Sequence, residues 1–397
     1  MRYDCFCRDD MLASTIVFTY RSLDMKTKKS RLIGGIVIKI IDMNTDGFTP
    51  EEIIEIKKKL NQQIKDARKK SRHKECLLCG KVGGFCDSHT IPQFCLENIA
   101  WNGKLNSFNT LIDSKLLSND SGISNAGIFH IICKSCDGSA FQDYEKATAY
   151  ETYPAEKALN QIALKNALRD IYKNEAEIEL FEACKELVKE KNPLLSVFAN
   201  TMLNAQIDAR KRDIQECYEI YNISKSYLTT SESWIRVVSY DKLNYTCPIA
   251  FQGMIPLITG VDGEVINDIF NHKHNYKIEY QHIAIFPLKN ATAVILFVDS
   301  KNTRSRQFES RIGSMTQEQR LEIINRIVFL YTEDYYLSKQ LDEGTIGILQ
   351  EPAKLLQDPV TTNPKRSLKN AVKDYDLRRD IFLPNLFSKE YAVQTED

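Results

Sequence analysis

The chain has 397 residues and 43% hydrophobic content, enough for two or three domains with cores of their own. Its 53 basic residues balance its 53 acidic residues, so no whole-protein field favours nucleic acid or an anionic membrane, and such binding would depend on a local patch. The odd count of 11 Cys, some of them in CxxC pairs, argues against a disulfide framework and favours reduced thiols, metal and a cytoplasmic location.

The predicted N-terminal segment, residues 1–48, contains one expected strand, LIGGIVIKII at 32–41. This run is the nearest candidate for a membrane span, but it is too short to cross a bilayer and includes Lys39. It also lacks the small-residue cleavage site of a secretory signal. We therefore expect no membrane association.

The second predicted domain, residues 49–150, opens with a basic helix. Residues 57–74 include nine Lys or Arg and one Asp, and this run directly precedes the first Cys pair. A basic helix of this kind can lie along a phosphate backbone, whereas the ordinary role of a charge run is a solvated helical face. The sequence thus predicts nucleic-acid binding through residues 57–74.

Two Cys pairs with knuckle spacing frame the centre of this domain. CLLC supplies Cys76 and Cys79, and CKSC supplies Cys133 and Cys136. Each knuckle places two sulfurs on one side of a tight turn, and four thiolates suit a tetrahedral Zn²⁺ with no open position. The sequence therefore predicts a structural zinc site whose binding energy is part of the folding energy.

A different ligand set remains open. The segment CDSH has ligand spacing of its own, so Cys86 and His89 are alternative partners for Cys76 and Cys79. In that arrangement His89 is a metal ligand and not a catalyst. A third interpretation treats the four thiols of the CxxC pairs as unrelated buried side chains.

The order CLLC, then SHTIPQF, then a hydrophobic segment ending in CKSC and a helix, resembles the zinc-knuckle branch of the HNH (ββα-metal, treble-clef) endonucleases. The resemblance covers residues 74–150. In that family the first knuckle precedes a strand that ends in a His-x-x-Pro turn, and the second knuckle opens the helix beneath it. The resemblance implies a ββα fold here and metal-dependent hydrolysis of phosphodiester bonds.

The same resemblance implies roles for three residues. His89 stands where the family keeps its general base, Asp87 lies near a frequent metal-ligand position, and Asp137 follows the last knuckle Cys, where His or Asn is usual. Imidazole suits base catalysis near neutral pH, and carboxylates suit Mg²⁺ or Mn²⁺. The family's middle Asn has no direct counterpart, so Asn125 or His130 would stand in for it, although His130 also fits an ordinary strand position.

The polar, turn-rich stretch from Cys95 to Ser124 is long for a hairpin loop, and we interpret it as an insertion. A helix is predicted from Asp137 to about Tyr150. Apolar residues at helical spacing then predict a helical region at 151–225, interrupted at Asn192-Pro193.

The pattern changes to strands in residues 226–345, where β-branched and aromatic runs are separated by Asn, Gly and Pro. Alternation between 276 and 286 predicts an antiparallel sheet with one exposed face. A closing helix is predicted from Thr316 to about Lys339, with Thr316 and Gln319 forming a cap at its start. Residues 346–397 form the predicted C-terminal tail.

These elements predict an α+β protein in which a zinc-knuckle ββα (treble-clef) module precedes a helical layer and an antiparallel β-sheet. The leading hypothesis is an HNH-like endonuclease acting on nucleic acid, DNA first, with structural Zn²⁺ and a catalytic Mg²⁺ or Mn²⁺. The resemblance adds bacterial anti-phage defence or toxicity as a context. The alternative is a non-catalytic zinc module that binds nucleic acid or a protein partner, and a homo-oligomer is also open. The two differ in whether His89, Asp87 and Asp137 converge on an open, metal-sized site.

Overall fold

The computed structural model describes most of the chain from residue 62 onward. The predicted strand at 32–41 lies outside the described residues, as does part of the basic run. The described ranges are 58, 62–107, 120–191, 193–273, 275–332, 334–350, 352 and 367–394.

The two Cys pairs belong to a small knuckle module, residues 74–150, preceded by helix α1 at 62–70. Strand β1 (Ser88–His89) pairs antiparallel with β4 (Ile128–Phe129). Helix α2 (Gln93–Ile99) follows β1, and helix α3 (Lys134–Ala140) opens inside the second Cys pair. The module therefore holds a two-stranded sheet and a helix beside its Cys residues.

Helix α3 is shorter than the sequence pattern predicts. It ends at Ala140, and the chain continues through turns into a 3₁₀ helix at Ala147–Tyr150. The cause is Gln161, whose Nε2 donates to the Ala140 carbonyl at 2.7 Å while its Oε1 accepts from the Tyr144 N–H at 2.7 Å. A side chain thus satisfies backbone groups that a longer helix would pair internally.

Two long antiparallel helices follow the module. Helix α4 (Glu156–Lys191) and helix α5 (Pro193–Thr230) meet at the predicted break, where Pro193 begins the second helix. The first part of α4 and the last part of α5 contribute buried residues to the main core. Farther out, a separate small cluster lies between the two helices, and we call this part the distal hairpin; its buried residues are Phe181, Cys184, Leu203 and Ile207.

Among the described residues, seven antiparallel strands form the main sheet, in the order β3-β2-β9-β6-β7-β8-β5. Two of them, β2 and β3, come from the stretch that the sequence indicates is an insertion, and β2 pairs with β9 near the chain's other end. The sheet therefore includes strands from within the knuckle module. The strand bounds are β2 Lys104–Ser107, β3 Asp120–Gly122, β5 Ile235–Leu243, β6 Ile249–Ile255, β7 Gln281–Leu288, β8 Ala291–Asp299 and β9 Tyr335–Ser338.

The expectation of a half-exposed sheet is wrong. Strand β7 begins only at Gln281, and every residue of β6 and β7 is buried. One face packs against α2, α4 and the knuckle module, and the other packs against later helices and the segment near Phe387. A sheet covered on both faces carries little alternation.

In the described part of the chain after β8 lie four further helices. Thr316 caps α7 with the predicted capping box, in which its side chain accepts from the Gln319 N–H. That helix ends at Tyr331 instead of near Lys339, because residues 335–338 form the buried strand β9. The helices are α6 Arg306–Ser314, α7 Gln317–Tyr331, α8 Glu343–Gln350 and α9 Leu368–Asp374.

The core of this fold contains a histidine that makes stability depend on pH. Burial lowers the pKa of His282 to about 3, and its ring stacks on Phe297 at 4.7 Å between centroids. Because the unfolded chain takes up the proton near pH 6.5 and the folded chain does not, the free energy of unfolding should fall as pH drops from 6.5 towards 3. The expected slope from this group is at most about 1.4 kcal/mol per pH unit.

Urea unfolding of the wild type and of His282→Gln between pH 7.5 and 5 isolates this contribution. The other titrating groups are common to both proteins, so the difference in slope belongs to His282. Parallel stability curves for the two proteins would contradict the prediction.

Candidate metal centre and adjoining polar clusters

Four sulfurs form the candidate metal centre. The Sγ atoms of Cys76, Cys79, Cys133 and Cys136 all lie within 4.8 Å of one another. The Cys79 and Cys133 sulfurs are 3.8 Å apart, which is about the edge of a tetrahedron whose corners lie ~2.3 Å from a central Zn²⁺. The predicted Cys cluster is confirmed, and its donor set can hold a metal ion such as zinc.

Backbone contacts hold the two knuckles in place. The Gly80 N–H donates to the Cys76 carbonyl at 2.8 Å, and Gly80 has φ +73°, which glycine adopts without strain. The Lys134 N–H donates to the Gly84 carbonyl at 2.9 Å and so joins the second knuckle to the first. Cys133 precedes α3, and its N–H points at the Cys76 sulfur at 3.3 Å. These contacts bring the sulfurs of both knuckles to one place.

The electrostatics of the cluster favour a thiolate at Cys76. Burial opposes ionisation of this thiol, but backbone N–H groups, that of Cys133 first, outweigh burial and lower its pKa to about 7. Cys86 behaves differently, because burial and then Asp137 raise its pKa to about 11. Among the described residues the metal cluster contains neither Cys86 nor His89, so the structure gives the alternative ligand set no support.

His89 lies in β1 with its ring partly enclosed. Burial is the main cause that lowers its pKa, while a hydrogen bond with the Ile123 backbone opposes the shift. Its Nε2 is buried and has no hydrogen-bond partner among the described residues. The ring is therefore neutral at pH 7, as a general base must be. Its Nε2 is not exposed to solvent in this conformation.

Asp137 is held inside a second polar cluster, which we call the Lys165 cluster; its members are Ser88, Asp137, Glu145 and Lys165. Lys165 Nζ donates to Asp137 Oδ1 and to Ser88 Oγ, both at 2.8 Å, and the Ser88 hydroxyl donates to Asp137 Oδ1 at 2.6 Å. Glu145 Oε1 lies 3.7 Å from the same ammonium. Lys165 is completely buried, and its Nζ lies 4.4 Å from the Phe141 ring centroid.

The Lys165 ammonium thus stands where a cation bound by these oxygens would stand. It joins α4 to both β1 and α3, so it also ties the long helix to the knuckle module. Burying a single charge is costly unless it is paired and hydrogen-bonded, and three oxygens meet that need here.

Asp87 belongs to a third cluster. Its Oδ1 lies 2.6 Å from Nε2 of His130, just beyond β4. The other ring nitrogen, Nδ1, is 3.4 Å from the Tyr172 hydroxyl on α4. Sequence reasoning brings Asp87 and Asp137 together, whereas here one carboxylate pairs with His130 and the other with Lys165. Within the described residues no further set of three His, Cys, Asp or Glu ligand atoms gathers as the four Cys do, and the catalytic Mg²⁺ or Mn²⁺ stays a prediction.

The described part of the basic run forms an exposed face beside this third cluster, and we call it the basic face. Tyr172 is near enough to two of its guanidinium groups for their charges to oppose the burial that raises the tyrosine's pKa. Those guanidinium groups have no ion-pair partner among the described residues. The exposed side chains of the basic face are Lys65, Arg68, Lys69, Lys70, Arg72 and Lys74.

Sequence reasoning missed Lys165, Ser88 and Tyr172 as members of these clusters. The burial of Lys165 could have been predicted from the sequence, because Lys165 lies three residues from both Ile162 and Leu168 on the apolar side of α4. A lysine at such a position is buried only when it is paired.

The chain was also compared with known proteins. No protein-family model, curated protein or solved structure matches it. In the described part of the chain, no helix is both long enough and apolar enough to cross a membrane.

Proposed function

We propose that the protein binds nucleic acid through its phosphate backbone, using the basic face and the knuckle module, with zinc as the ion on the four sulfurs. The observation that carries this proposal is the position of the basic face. It directly precedes the first Cys pair, its cations are exposed, and its Arg68 carbonyl lies 3.4 Å from the Tyr172 hydroxyl on α4.

The chain has no net charge, so its overall charge does not attract nucleic acid. A cluster of six cations on one helix and the turn after it is the kind of local patch that neutralises phosphates and releases counterions. Binding of this kind is independent of sequence and falls steeply with salt. Two of the three residues expected to catalyse hydrolysis are meanwhile engaged elsewhere, because Asp137 pairs with Lys165 and Asp87 with His130.

Reversing two charges on the basic face should weaken binding. For Lys65→Glu/Lys69→Glu we expect at least a tenfold loss of affinity for a fluorescent 20-nucleotide strand or duplex at 100 mM salt. We also expect a shallower dependence of log affinity on log salt, by about two for duplex DNA, since two phosphate contacts are lost. Fluorescence anisotropy over a salt series measures both.

The matched control is Lys369→Glu/Lys373→Glu on α9. These lysines are exposed, four residues apart and on a short helix, as the first pair is. The control variant has the same change in net charge. If both variants bind equally well, the basic face is only a solvated surface.

A metal-dependent endonuclease of the HNH type is the second candidate. The observation that favours it is His89 Nε2, which is buried and has no hydrogen-bond partner among the described residues. The charges of Asp87 and Asp137 both act on the His89 ring and oppose the fall in its pKa that burial causes. In this proposal the Lys165 cluster opens when substrate binds, and Asp137 is released to a Mg²⁺ or Mn²⁺ ion.

Cleavage of plasmid DNA with added Mg²⁺ or Mn²⁺ tests this second candidate. The wild type is expected to cut and His89→Ala is expected to lose at least ~100-fold in rate, while both retain one zinc. Equal cleavage by the two proteins, or none by the wild type, would leave the non-catalytic binding module as the function.

A further inference from the structure

Asp87, His130 and Tyr172 form a chain of acidic, imidazole and phenol groups that begins at an exposed carboxylate of the knuckle module and ends on α4 at Tyr172, a residue that is 6% exposed. The Asp87 side chain is 67% exposed, and its Oδ1 lies 2.6 Å from His130 Nε2, whose side chain is 14% exposed. A carboxylate on one ring nitrogen fixes the tautomer and leaves the lone pair of the other nitrogen, Nδ1, as the acceptor. The chain therefore has the order of a proton relay that ends at the Tyr172 hydroxyl.

The Tyr172 hydroxyl is held loosely. Its single proton has two possible acceptors, His130 Nδ1 and the Arg68 carbonyl, and each lies 3.4 Å away, near the outer limit for a hydrogen bond. A hydroxyl with two long contacts can turn towards a third partner at little cost. The rings of His130 and Tyr172 pack at 5.9 Å between centroids, which keeps them adjacent.

Two guanidinium groups complete the surroundings. Arg68 and Arg72 are exposed, act electrostatically on Tyr172 and have no ion-pair partner among the described residues. Guanidinium groups bind phosphate oxygens in a fixed fork and stabilise the charge of a pentacoordinate phosphorus. A base next to two unpaired arginines is an arrangement suited to phosphodiesters.

We propose that this relay, together with Arg68 and Arg72, cleaves single-stranded RNA by attack of the ribose 2′-hydroxyl. The proposal rests on the proposed nucleic-acid binding and adds a reaction and a substrate class to it. RNA is the substrate because it carries its own nucleophile, so its cleavage needs a base and a cationic surrounding, and both are present here.

The reaction is an internal transfer of the phosphoryl group. The 2′ oxygen bonds to the adjacent phosphorus while its proton passes through the Tyr172 hydroxyl to His130 Nδ1. The P–O5′ bond breaks, and O5′ takes a proton from water. Asp87 stabilises the imidazolium until His130 returns its proton to the hydroxide left behind. The products are a 2′,3′-cyclic phosphate and a 5′-hydroxyl end.

The test uses the full-length, zinc-loaded chain in buffer passed over a chelating resin, with no added Mg²⁺ or Mn²⁺. The probe is a 5′-labelled 20-nucleotide RNA, alongside the same strand with 2′-deoxyribose throughout. The wild type is expected to cut the RNA, to leave the DNA strand intact and to give cyclic phosphate ends by mass spectrometry. His130→Gln and Tyr172→Phe are expected to lower the rate at least ~100-fold.

The control variant is His73→Gln. His73 makes the same kind of pair, with its Nε2 2.7 Å from Glu175 Oε2, and lies near the relay without belonging to it. It should cut at the wild-type rate. Anisotropy under the same conditions is expected to show that the His130 and Tyr172 variants still bind the strand.

The outcomes separate the two proposals. Binding without cleavage by the wild type overturns the relay and leaves nucleic-acid binding intact. Cleavage that appears only with Mg²⁺ or Mn²⁺, or that survives His130→Gln, also overturns the relay. Absence of RNA binding overturns both.

Discussion

Replacing Lys165 by Met is expected to lower the free energy of unfolding by about 3 kcal/mol or more. Lys165 is fully buried, and its ammonium donates to both Asp137 and Ser88. Methionine fills the space of the stem but leaves the Asp137 carboxylate, 26% exposed, without its cation. Breaking a buried pair by removing one partner is costly because the remaining charge is uncompensated. Urea denaturation of zinc-loaded protein at pH 7 measures the change.

The chain offers a matched control on the same helix. Lys157 pairs with Asp143 at 2.7 Å, but its side chain is 61% exposed. Lys157→Met should cost less than about 1 kcal/mol, the usual range for a surface ion pair. A double variant, Lys165→Met with Asp137→Asn, should recover part of the loss. If Lys165→Met unfolds at the same urea concentration as Lys157→Met, the Lys165 cluster is not a stabilising contact.

Replacing Cys133 by Ser is expected to abolish tight zinc binding and to unfold the knuckle module. Cys133 carries one of the four clustered sulfurs and also precedes α3, so its replacement should affect both metal binding and the helix. Structural zinc in small modules contributes about 10–16 kcal/mol of apparent binding free energy at pH 7. Zinc content by mass spectrometry should fall from one per chain to none, and limited proteolysis should cut within 74–150.

Two control variants distinguish the four-Cys centre from the alternative ligand set. Cys86→Ser and His89→Ala should each keep one zinc per chain, since neither side chain belongs to the sulfur cluster. Replacing zinc by Co²⁺ adds an optical test, because four thiolates give strong sulfur-to-cobalt absorption that one Cys fewer would weaken. Loss of zinc from either control variant would show that the ligand assignment is wrong.

The sequence predicts the Cys centre well because CxxC spacing is a local property. A knuckle places both sulfurs within four residues, so the pattern is visible without knowledge of the fold. The same holds for the break at Asn192-Pro193 and for the capping box at Thr316, where each signal lies within one turn of chain.

The pairings between distant residues were not predictable in this way. Strand β2 pairs with β9 across more than two hundred residues, and its KLNS sequence carries no strand signal of its own. Tertiary contacts make such short segments into strands. The Lys165 cluster is similar, because its partners come from three separate elements of the chain.

The expected catalytic set shows the same limit. The resemblance to the HNH family through the SHTIP and CKSC segments places His89 and Asp137 in one motif. It does not indicate that Lys165, on α4, pairs with Asp137. Asp137 pairs with Lys165 and Asp87 pairs with His130, so the two carboxylates have different partners. A sequence motif therefore does not determine which partners its charged side chains will have in the folded chain.

The long α4–α5 hairpin extends far from the Cys centre, so a small tilt at the base of α4 would displace its far end by a larger distance. Lys165 lies near the start of α4, and the helix continues to Lys191, roughly 39 Å farther at 1.5 Å per residue. The distal hairpin has its own small cluster of buried residues and no share in the main cores. A tilt of α4 by about 5° at its base would carry the far end through roughly 3 Å. The far end of the hairpin is therefore the part of α4 that a small tilt of the helix displaces most.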